Sequence, residues 1–431
     1  MLCEVMDMVG EEIYNFTCKL FPINRFLMGE GVRKTLSLIK EVVPEVQVYE
    51  VPSGTKVFDW IIPPEWEITD AYIEDECGNK IIDYRKNNLH VLAYSNPIDQ
   101  WMPLEELKNY IYTDELSPDT IPYVTSYYKD RIGMCMSYHQ LSNLSEGNYH
   151  IYIDSKKKDG SLTYGEIVLK GESHEEIIFH SVICHPSLAN DELSGPALAA
   201  FLAREIKKMD FRRYTYRFIF VPETIGAVTY LSRNLENLKK SVKAGFILSC
   251  EGDDRTYSYL PTIEGTTLSD RVAVKVLSEM HPNYNRYSFL ERGSDERQYN
   301  SPGIDIPVCL VCRSKAGEFP EYHTSNDNLE FVSPEGFQGS FDVFMNIIRL
   351  LEANRIYKTK VLCEPQLGKR KLYSDLSFRG SKASYKIIVD FLTYANGYND
   401  VISISNILDI SWEQLTNVIN ILLEKDLIEA V

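Results

Sequence analysis

Between about residue 148 and residue 350, short apolar runs of β type alternate with longer segments of helical period. The apolar runs are EEIIFHSVIC, TYRFIFVPE, KAGFILSCEG and IPVCLVCR, and the helical segments cover 194–208, 225–239, 268–280 and 334–352. Strands that alternate with helices tend to pair in parallel, because each helix carries the chain back to the start of the next strand. The pattern predicts a three-layer α/β sandwich with a mixed, largely parallel sheet.

Two other parts of the chain show different patterns. Residues 59–147 contain short alternating segments broken by Pro-Pro, Cys-Gly-Asn and Asn-Pro, which predicts a small β-rich insert. The main domain is then discontinuous and comprises residues 1–58 and 148–358. Residues 373–431 contain three helical periods and resemble a winged-helix module.

The charge and the cysteines restrict the partners and the compartment. A formal net charge of −17 repels phosphate backbones and anionic lipid, so we expect neither nucleic acid nor membrane as a partner. No run approaches the roughly 20 apolar residues of a membrane span. Nine cysteines, an odd number, fit reduced thiols better than a disulfide framework. These features favour a cytoplasmic protein.

The winged-helix segment has few positive charges. From Ser381 to Val431 there are three lysines and no arginine against seven Asp plus Glu, a net charge of −4. A module that reads DNA usually presents a basic face. We therefore expect this segment to dock against the main domain, a partner protein or a second copy of the chain.

The ends of the apolar runs carry residues that bind cations or move protons. In a parallel sheet the carboxyl ends of the strands lie at one edge, where ligands bind. Imidazole and carboxylate groups are typical zinc ligands, and their recurrence at one edge indicates a metal site. A lone loop histidine or an aspartate before Ser-Gly has an ordinary structural explanation, the latter as a helix N-cap. The candidates are His185, Asp191, Glu223, Glu251, Asp253, Asp254, His323 and Asp327.

The order of these motifs carries a family resemblance. It runs from a histidine to DELSG, then to Glu-x-x-Gly after a strand, to GSDERQYNSPGIDIPV and to YHTSNDNLEFV. This order resembles the zinc-dependent aminopeptidase and glutaminyl cyclase superfamily. The whole chain is similar to bacterial aminopeptidase-like proteins that have a β-rich insert and a C-terminal winged helix. The resemblance implies a zinc cofactor and a peptide or small amide as substrate.

The resemblance assigns roles residue by residue. It implies that His185, Asp191 and His323 are metal ligands and that Glu223 is the general base. For the ligand on the third strand, Cys250, Glu251 and Asp253 are alternatives, of which we favour Asp253. The resemblance also places Asp295 near the substrate, and Asp295 or Glu321 is expected to hold its α-ammonium group.

One position departs from the family pattern. Where the family normally has a second, metal-binding glutamate, this chain has Thr224, which cannot replace a carboxylate. The number of metal ions, one or two, therefore stays open, and with one ion Glu223 is either base or ligand. The resemblance implies a zinc-dependent aminopeptidase that cleaves an N-terminal peptide or related amide bond with metal-activated water. The alternatives are other amide chemistry and a non-catalytic, peptidase-like binding or regulatory protein.

Overall fold

The computed structural model describes residues 9–126, 128–372 and 383–431. The chain divides into two compact units, Met1–Asp270 with Asn283–Asp342 and Arg271–Pro282 with Val343–Val431. The first residues of the predicted winged-helix segment, 373–382, lie outside the described residues, as do residues 1–8 of the main domain.

The helices and strands are numbered in chain order. The helices are α1 (Val9–Leu20), α2 (Glu30–Val42), α3 (Leu104–Leu107), α4 (Tyr138–Ser142), α5 (Ser194–Lys207), α6 (Ile225–Ser241), α7 (Leu268–Met280), α8 (Glu296–Tyr299), α9 (Pro334–Ala353), α10 (Ala383–Tyr394), α11 (Val401–Leu408) and α12 (Trp412–Glu424). The strands are β1 (Gln47–Pro52), β2 (Lys56–Val57), β3 (Trp60–Ile61), β4 (Glu65–Asp75), β5 (Lys80–Asp83), β6 (Ile98–Pro103), β7 (Ile111–Tyr112), β8 (Met134–Cys135), β9 (Asn148–Lys158), β10 (Ser161–Leu169), β11 (Glu176–Val182), β12 (Thr215–Val221), β13 (Val242–Leu248), β14 (Ser258–Leu260), β15 (Asn285–Arg286), β16 (Val308–Cys312), β17 (Ile356–Thr359), β18 (Asn396–Asp400) and β19 (Ile428–Ala430). None of the helices in the described ranges is both long enough and apolar enough to span a bilayer.

The first unit is built on an eight-stranded mixed sheet with the order β1-β10-β12-β11-β13-β16-β14-β15. Strands β12, β11, β13 and β16 pair in parallel at its centre, whereas β1, β10 and β14 are joined by antiparallel pairs. The four central strands are the apolar runs recognised in the sequence. The predicted fold class is therefore confirmed.

Helices cover both faces of this sheet. Successive residues of a strand point to opposite faces, so Ser181 and His180 of β11 mark the two sides. Gly195 of α5 lies against Ser181, and a Cβ atom there would approach the Leu248 carbonyl oxygen to 2.2 Å. On the other face, His180 Nδ1 is 2.9 Å from the hydroxyl of Tyr299 in α8. These contacts define the helix–sheet–helix layers of a sandwich.

Aromatic packing fixes the centre of the sheet. The rings of Phe179, Phe218 and Phe246 stack across three neighbouring strands, with centroids of the first at 5.0 and 5.6 Å from the other two. All three side chains are buried. Helix α5 is buried on nearly every side, as expected for its sequence SGPALAAFLAREIK, because a helix that is apolar all round belongs inside a protein. The start of α5 is thereby held beside the ends of the central strands.

The β-rich insert contains a four-stranded antiparallel sheet with the order β5-β4-β9-β6. Residue 148, the boundary expected from the sequence, is the first residue of β9, and β9 pairs with β4 and β6. The long strand therefore belongs to the insert sheet rather than to the main sheet, to which the chain returns at β10. Sequence pattern did not show this, because an amphipathic strand has the same alternation in either sheet.

The second unit contains the winged helix. A sheet with the order β18-β17-β19 packs with α10, α11 and α12 around a separate apolar cluster. The helix residues Leu415, Ile419 and Leu422 are buried at helical spacing, whereas Leu423 is 42% exposed. The module starts at β17, earlier than the expected residue 373, because β17 is its central strand.

Candidate functional site

Three of the expected metal ligands come together at the carboxyl edge of the sheet. His185 follows β11, Asp191 precedes α5 and His323 lies in the loop between β16 and α9. One ligand atom from each of the three lies within 4.8 Å of the other two. His185 and Asp191 are buried, whereas the side chain of His323 is 35% exposed. The cluster therefore has a closed side and a side open to solvent.

A neighbouring carboxylate orients His185. Glu192 contacts His185 Nδ1 through Oε2 and accepts a 2.9 Å hydrogen bond from the His185 backbone amide through Oε1. Burial alone lowers the pKa of His185, but the carboxylates of Glu192, Asp191 and Glu223 together outweigh burial and raise the pKa to about 10. Because Nδ1 faces Glu192, Nε2 is the ring nitrogen left for a ligand. A carboxylate behind a histidine is the usual support of a metal-binding imidazole.

The loop that carries Asp191 is held by Asp327. The backbone amides of Asn190 and Asp191 donate hydrogen bonds of 2.6 and 2.8 Å to the two carboxylate oxygens of Asp327. Burial raises the pKa of Asp327 to about 7. Asp191 itself has non-helical dihedral angles, φ −103° and ψ 84°, inside a short helical turn. This break directs the Asp191 carboxylate away from the axis of α5 and towards the histidines.

The insert contributes to the position of His323. The Tyr123 amide donates a 2.8 Å hydrogen bond to the His323 carbonyl oxygen, and the Ser325 amide donates one of 2.9 Å to the Ile121 carbonyl oxygen. The Tyr123 ring lies edge-on to the rings of His185 and His323, with centroid distances of 4.9 and 5.0 Å. His323 has φ +55°, a rare value for a residue with a Cβ atom, and the contacts of this loop hold it there.

Glu223 lies beside the cluster on a strained turn. Its Oε2 is 4.0 Å from His185 Nε2, and its side chain is 28% exposed. Thr224 has φ 60° and ψ −77°, and the Ile225 amide donates a 2.7 Å hydrogen bond to the Glu223 carbonyl oxygen. These dihedral angles and this hydrogen bond define a γ-turn with positive φ, a rare conformation that is strained for a β-branched residue. Burial raises the pKa of Glu223 to about 8, opposed by the charge of His185.

Asp295 is near Glu223 but is buried and fully engaged. One carboxylate oxygen is 2.9 Å from His180 Nε2, and the other accepts a 2.9 Å hydrogen bond from the Thr224 amide. Both His180 and Asp295 are 0% exposed. Asp295 therefore holds the strained turn in place, and its geometry does not fit the expected role as a group that touches the substrate.

The structure does not bring Asp253 to the cluster. Its carboxylate accepts hydrogen bonds from Asn190 Nδ2, the Ser314 amide and hydroxyl, and the Arg255 amide, at 2.8 to 3.1 Å. Asp253 is therefore a buried carboxylate that stabilises the loop after the strand through these four hydrogen bonds. Of the two alternatives on this strand, Cys250 comes nearer, with its sulfur 3.8 Å from Asp191 Oδ1. Strand alternation could not reveal this, because the chain turns at Cys250, where φ is +58°.

Glu321 also has a structural partner. Its two carboxylate oxygens each lie 2.8 Å from a different terminal nitrogen of Arg255, in a two-pronged ion pair. The Arg255 side chain is 47% exposed and that of Glu321 is 20% exposed. A carboxylate held in this way by a guanidinium is not available for the α-ammonium group of a substrate.

Three residues at the site were not among the candidates from the sequence. They are Glu192, Tyr123 and Arg297. Glu192 follows a predicted ligand in the motif DELSG, so its acidity was a visible signal. Asp327 was a candidate, and it binds backbone amides instead of joining the cluster. Arg297 stands two residues after Asp295 in the motif GSDERQY, whereas nothing in the local sequence of Tyr123 connects it with the histidines.

The residues of the cluster fit a zinc ion. Two imidazoles and one carboxylate are a common catalytic zinc set, in which a fourth position stays open for water. Asp191 Oδ2 is buried and, among the described residues, forms no hydrogen bond. His323 Nε2 lies 3.1 Å from this oxygen, which is within the distance of an ion pair, but the two groups are not oriented for a hydrogen bond. A buried carboxylate oxygen without a donor is what a metal ligand looks like when only protein atoms surround it.

Comparisons with known proteins agree with this fold. A family model described as a domain of unknown function, DUF4910, matches residues 14–354, and a winged helix-turn-helix model matches residues 355–430. A Clostridium acetobutylicum protein, named as a candidate polysaccharide biosynthesis protein with an aminopeptidase-like domain, is 46% identical over 365 residues. That match covers 84% of this chain and 83% of the relative.

Solved structures extend the comparison. A crystal structure of a candidate peptidase from Clostridium acetobutylicum is 40% identical, covers 99% of this chain and 98% of its own, and has a TM-score of 0.93. The zinc aminopeptidase BSAP from Bacillus subtilis has a TM-score of 0.56 at 15% identity, covering 79% of this chain and 94% of its own. A peptidase M28 precursor from Shewanella amazonensis has a TM-score of 0.57 at 13% identity, covering 84% and 98%. The latter two show the fold alone. The resemblance to zinc aminopeptidases is thereby confirmed, and the chain belongs to the DUF4910 family.

Proposed function

We propose that this protein is a zinc-dependent hydrolase that cleaves a peptide or related amide bond. The observation that carries the proposal is the cluster of His185, Asp191 and His323, with the carboxylate of Glu223 4.0 Å from the free nitrogen of His185. A metal site and a general base within reach of the same bound water are what amide hydrolysis requires. The description of the DUF4910 family names no substrate.

Each residue has a defined part in this proposal. His185, Asp191 and His323 would hold the zinc ion, and Glu192 and Asp327 keep two of these ligands in position. Bound zinc lowers the pKa of a coordinated water to near 7 and polarises a carbonyl group. Glu223 takes a proton from the attacking water at a carboxylate oxygen and returns it to the leaving amine. The turn at Thr224, held by Asp295, fixes the position of that carboxylate.

The test is the change Glu223→Gln, which keeps the shape of the side chain and removes the base. We expect turnover of an amide substrate to fall on the order of 10² to 10⁴ fold while zinc stays bound. The panel should include N-acylated amino sugars, because a relative is named for polysaccharide biosynthesis. Glu318→Gln, at a half-exposed glutamate outside the cluster, is the matched control.

The outcomes of this test separate the possible roles of Glu223. Loss of zinc would make Glu223 a ligand, and unchanged turnover would contradict both roles. A wild-type protein that holds zinc but hydrolyses no amide would favour the second candidate, a non-catalytic binding or regulatory protein. Thr224 favours that candidate, because it stands where the zinc aminopeptidase and glutaminyl cyclase superfamily normally has a metal-binding glutamate. Its hydroxyl instead accepts a 2.8 Å hydrogen bond from Arg297.

A further inference from the structure

An arginine faces the proposed general base. Arg297 Nη2 is 3.6 Å from Glu223 Oε1, on the side of the carboxylate opposite the contact with His185. The same nitrogen donates a 2.8 Å hydrogen bond to Thr224 Oγ1, and Nη1 donates one of 3.0 Å to the Gly293 carbonyl oxygen. The Arg297 side chain is 36% exposed, so solvent or a ligand can reach its guanidinium group.

The arginine is fixed rather than loosely placed. Thr224, which accepts its hydrogen bond, is held in a strained turn by the carboxylate of Asp295. Strain of this kind persists only where the surroundings enforce it, and it is concentrated at functional sites. A guanidinium has five N–H donors, and the hydrogen bonds to Thr224 and Gly293 leave donors for a further acceptor.

Neither of the two carboxylates expected to bind the ammonium group of a substrate is placed to do so. Asp295 is 0% exposed and bound on both oxygens, and Glu321 is paired with Arg255. A free α-ammonium group next to the scissile bond would instead meet the positive charge of Arg297. Like charges at close range are strongly unfavourable in a partly desolvated site.

We propose that Arg297 binds a carboxylate group of the substrate, so that the substrate is an amide with an anionic group a few bonds from the scissile carbonyl. This inference rests on the proposed hydrolase function and narrows its substrate class. Arginine suits the task, because its planar fork matches the two oxygens of a carboxylate. The inference also explains why the site departs from one that selects a free amino terminus.

The test compares four amides that differ mainly in charge. Succinyl-4-nitroanilide carries a carboxylate on the acyl side, N-butanoyl-5-amino-2-nitrobenzoate carries one on the amine side, butanoyl-4-nitroanilide is neutral and alanyl-4-nitroanilide is cationic. We expect one of the two anionic amides to have the highest kcat/KM, by about tenfold or more. A preference for the alanyl amide, or no dependence on charge, would overturn the proposal.

Variants of Arg297 then identify the group responsible. In Arg297→Met, kcat/KM for the preferred anionic amide should fall about 10- to 100-fold, mostly through KM, because a hydrogen-bonded charge pair is lost. Because Arg297 also contacts Glu223, the neutral amide measures any indirect effect on the base, and its kcat/KM should fall clearly less than that of the anionic amide. Arg297→Lys should be intermediate, since it keeps the charge without the fork, and it also serves if the Met variant is unstable. Arg292→Met, at an exposed arginine five residues away, is the control.

A binding measurement distinguishes this inference from the hydrolase proposal. Titration calorimetry with succinate needs no turnover and should show binding that weakens at least tenfold in Arg297→Met but not in Arg292→Met. If no amide is hydrolysed while succinate binding still depends on Arg297, the hydrolase proposal fails and the carboxylate site stands. If succinate binding is equal in wild type and Arg297→Met, the carboxylate site is contradicted, whatever the hydrolytic activity.

Discussion

Individual carboxylates at this site divide into those that face the cluster and those that support it. Glu192 and Asp327 are almost fully buried and act on other residues, one on an imidazole ring and one on two backbone amides. Their hydrogen bonds fix the ring of His185 and the backbone at Asp191 before any ligand arrives. A preorganised site of this kind loses little conformational entropy on binding a metal.

At the residue scale the sequence predicts some members of the site and misses others for physical reasons. His185 and Glu223 follow strand ends closely, and Asp191 stands just before the helix that follows the first of these strands, so the topology alone brings them to one edge. Asp253 also follows a strand, but its four hydrogen bonds turn it into the loop instead. Arg297 could not be foreseen, because its contact with Glu223 depends on the packing of α8 beside the strained turn.

At the scale of secondary-structure elements, α11 shows how one charge secures a helix within the second unit. Asp400 is the N-cap of α11 and accepts a 2.9 Å hydrogen bond from the Ser403 amide. Its carboxylate also accepts hydrogen bonds from Arg271 Nη2 at 2.5 Å and from Asn354 Nδ2 at 3.0 Å. Burial alone would raise the pKa of Asp400, but these bonds outweigh it and lower the pKa to about 2.

The low pKa of Asp400 predicts how the free energy of unfolding changes with pH. Because the folded pKa of Asp400 is below its ordinary value of 3.8, the stabilisation is full well above pH 4 and is lost as the pH falls through about 2. Asn caps a helix as well as Asp does, so Asp400→Asn keeps the cap at Ser403 but removes the charge and the oxygen that accepts from Asn354. We expect the free energy of unfolding to fall by about 2 kcal/mol at pH 7.

Urea denaturation of the full-length protein at several pH values measures this effect. The difference between wild type and Asp400→Asn should shrink steadily below pH 4. Asp409→Asn, at an exposed aspartate at the end of the same helix, should have little effect at any pH. A difference that is constant from pH 7 to pH 2 would show that charge is not the cause.

The insert is the second element whose contacts bear on function. The segment around Tyr123 pairs with the loop that carries His323, through an isolated antiparallel bridge between Pro122 and Thr324. The sequence predicted a β-rich insert from its turns, but pairing between distant segments has no local signal. The site is therefore completed by a part of the chain that strand–helix alternation assigns to another domain.

At the scale of the whole molecule, the net charge leads to a prediction about partners. The net charge is −17. Helix α12, which corresponds to the DNA-reading helix of a winged-helix module, contains no lysine or arginine. We predict that the full-length protein does not bind duplex DNA at physiological salt with a Kd below about 10⁻⁴ M, the weak end of non-specific binding. Salt-sensitive binding in a mobility-shift assay, lost on truncation after Leu372, would contradict this.

The fold was more predictable than the site. The alternation of four apolar runs with helices was enough for the central sheet, since parallel strands buried on both faces have a strong sequence pattern. The edge strands β1, β14 and β15 were not predictable, because short edge strands have little apolar pattern and depend on the neighbours they pair with.

The most direct test of the central claim is the zinc content of the purified protein and of one double variant. Mass spectrometry of the metal should find about one zinc per chain in the wild type. His185→Ala combined with His323→Ala should remove it, whereas His174→Ala, at an exposed histidine outside the cluster, should not. Zinc at full occupancy in the double variant, or a wild type that takes up none when it is supplied, would contradict a metal centre at this edge of the sheet.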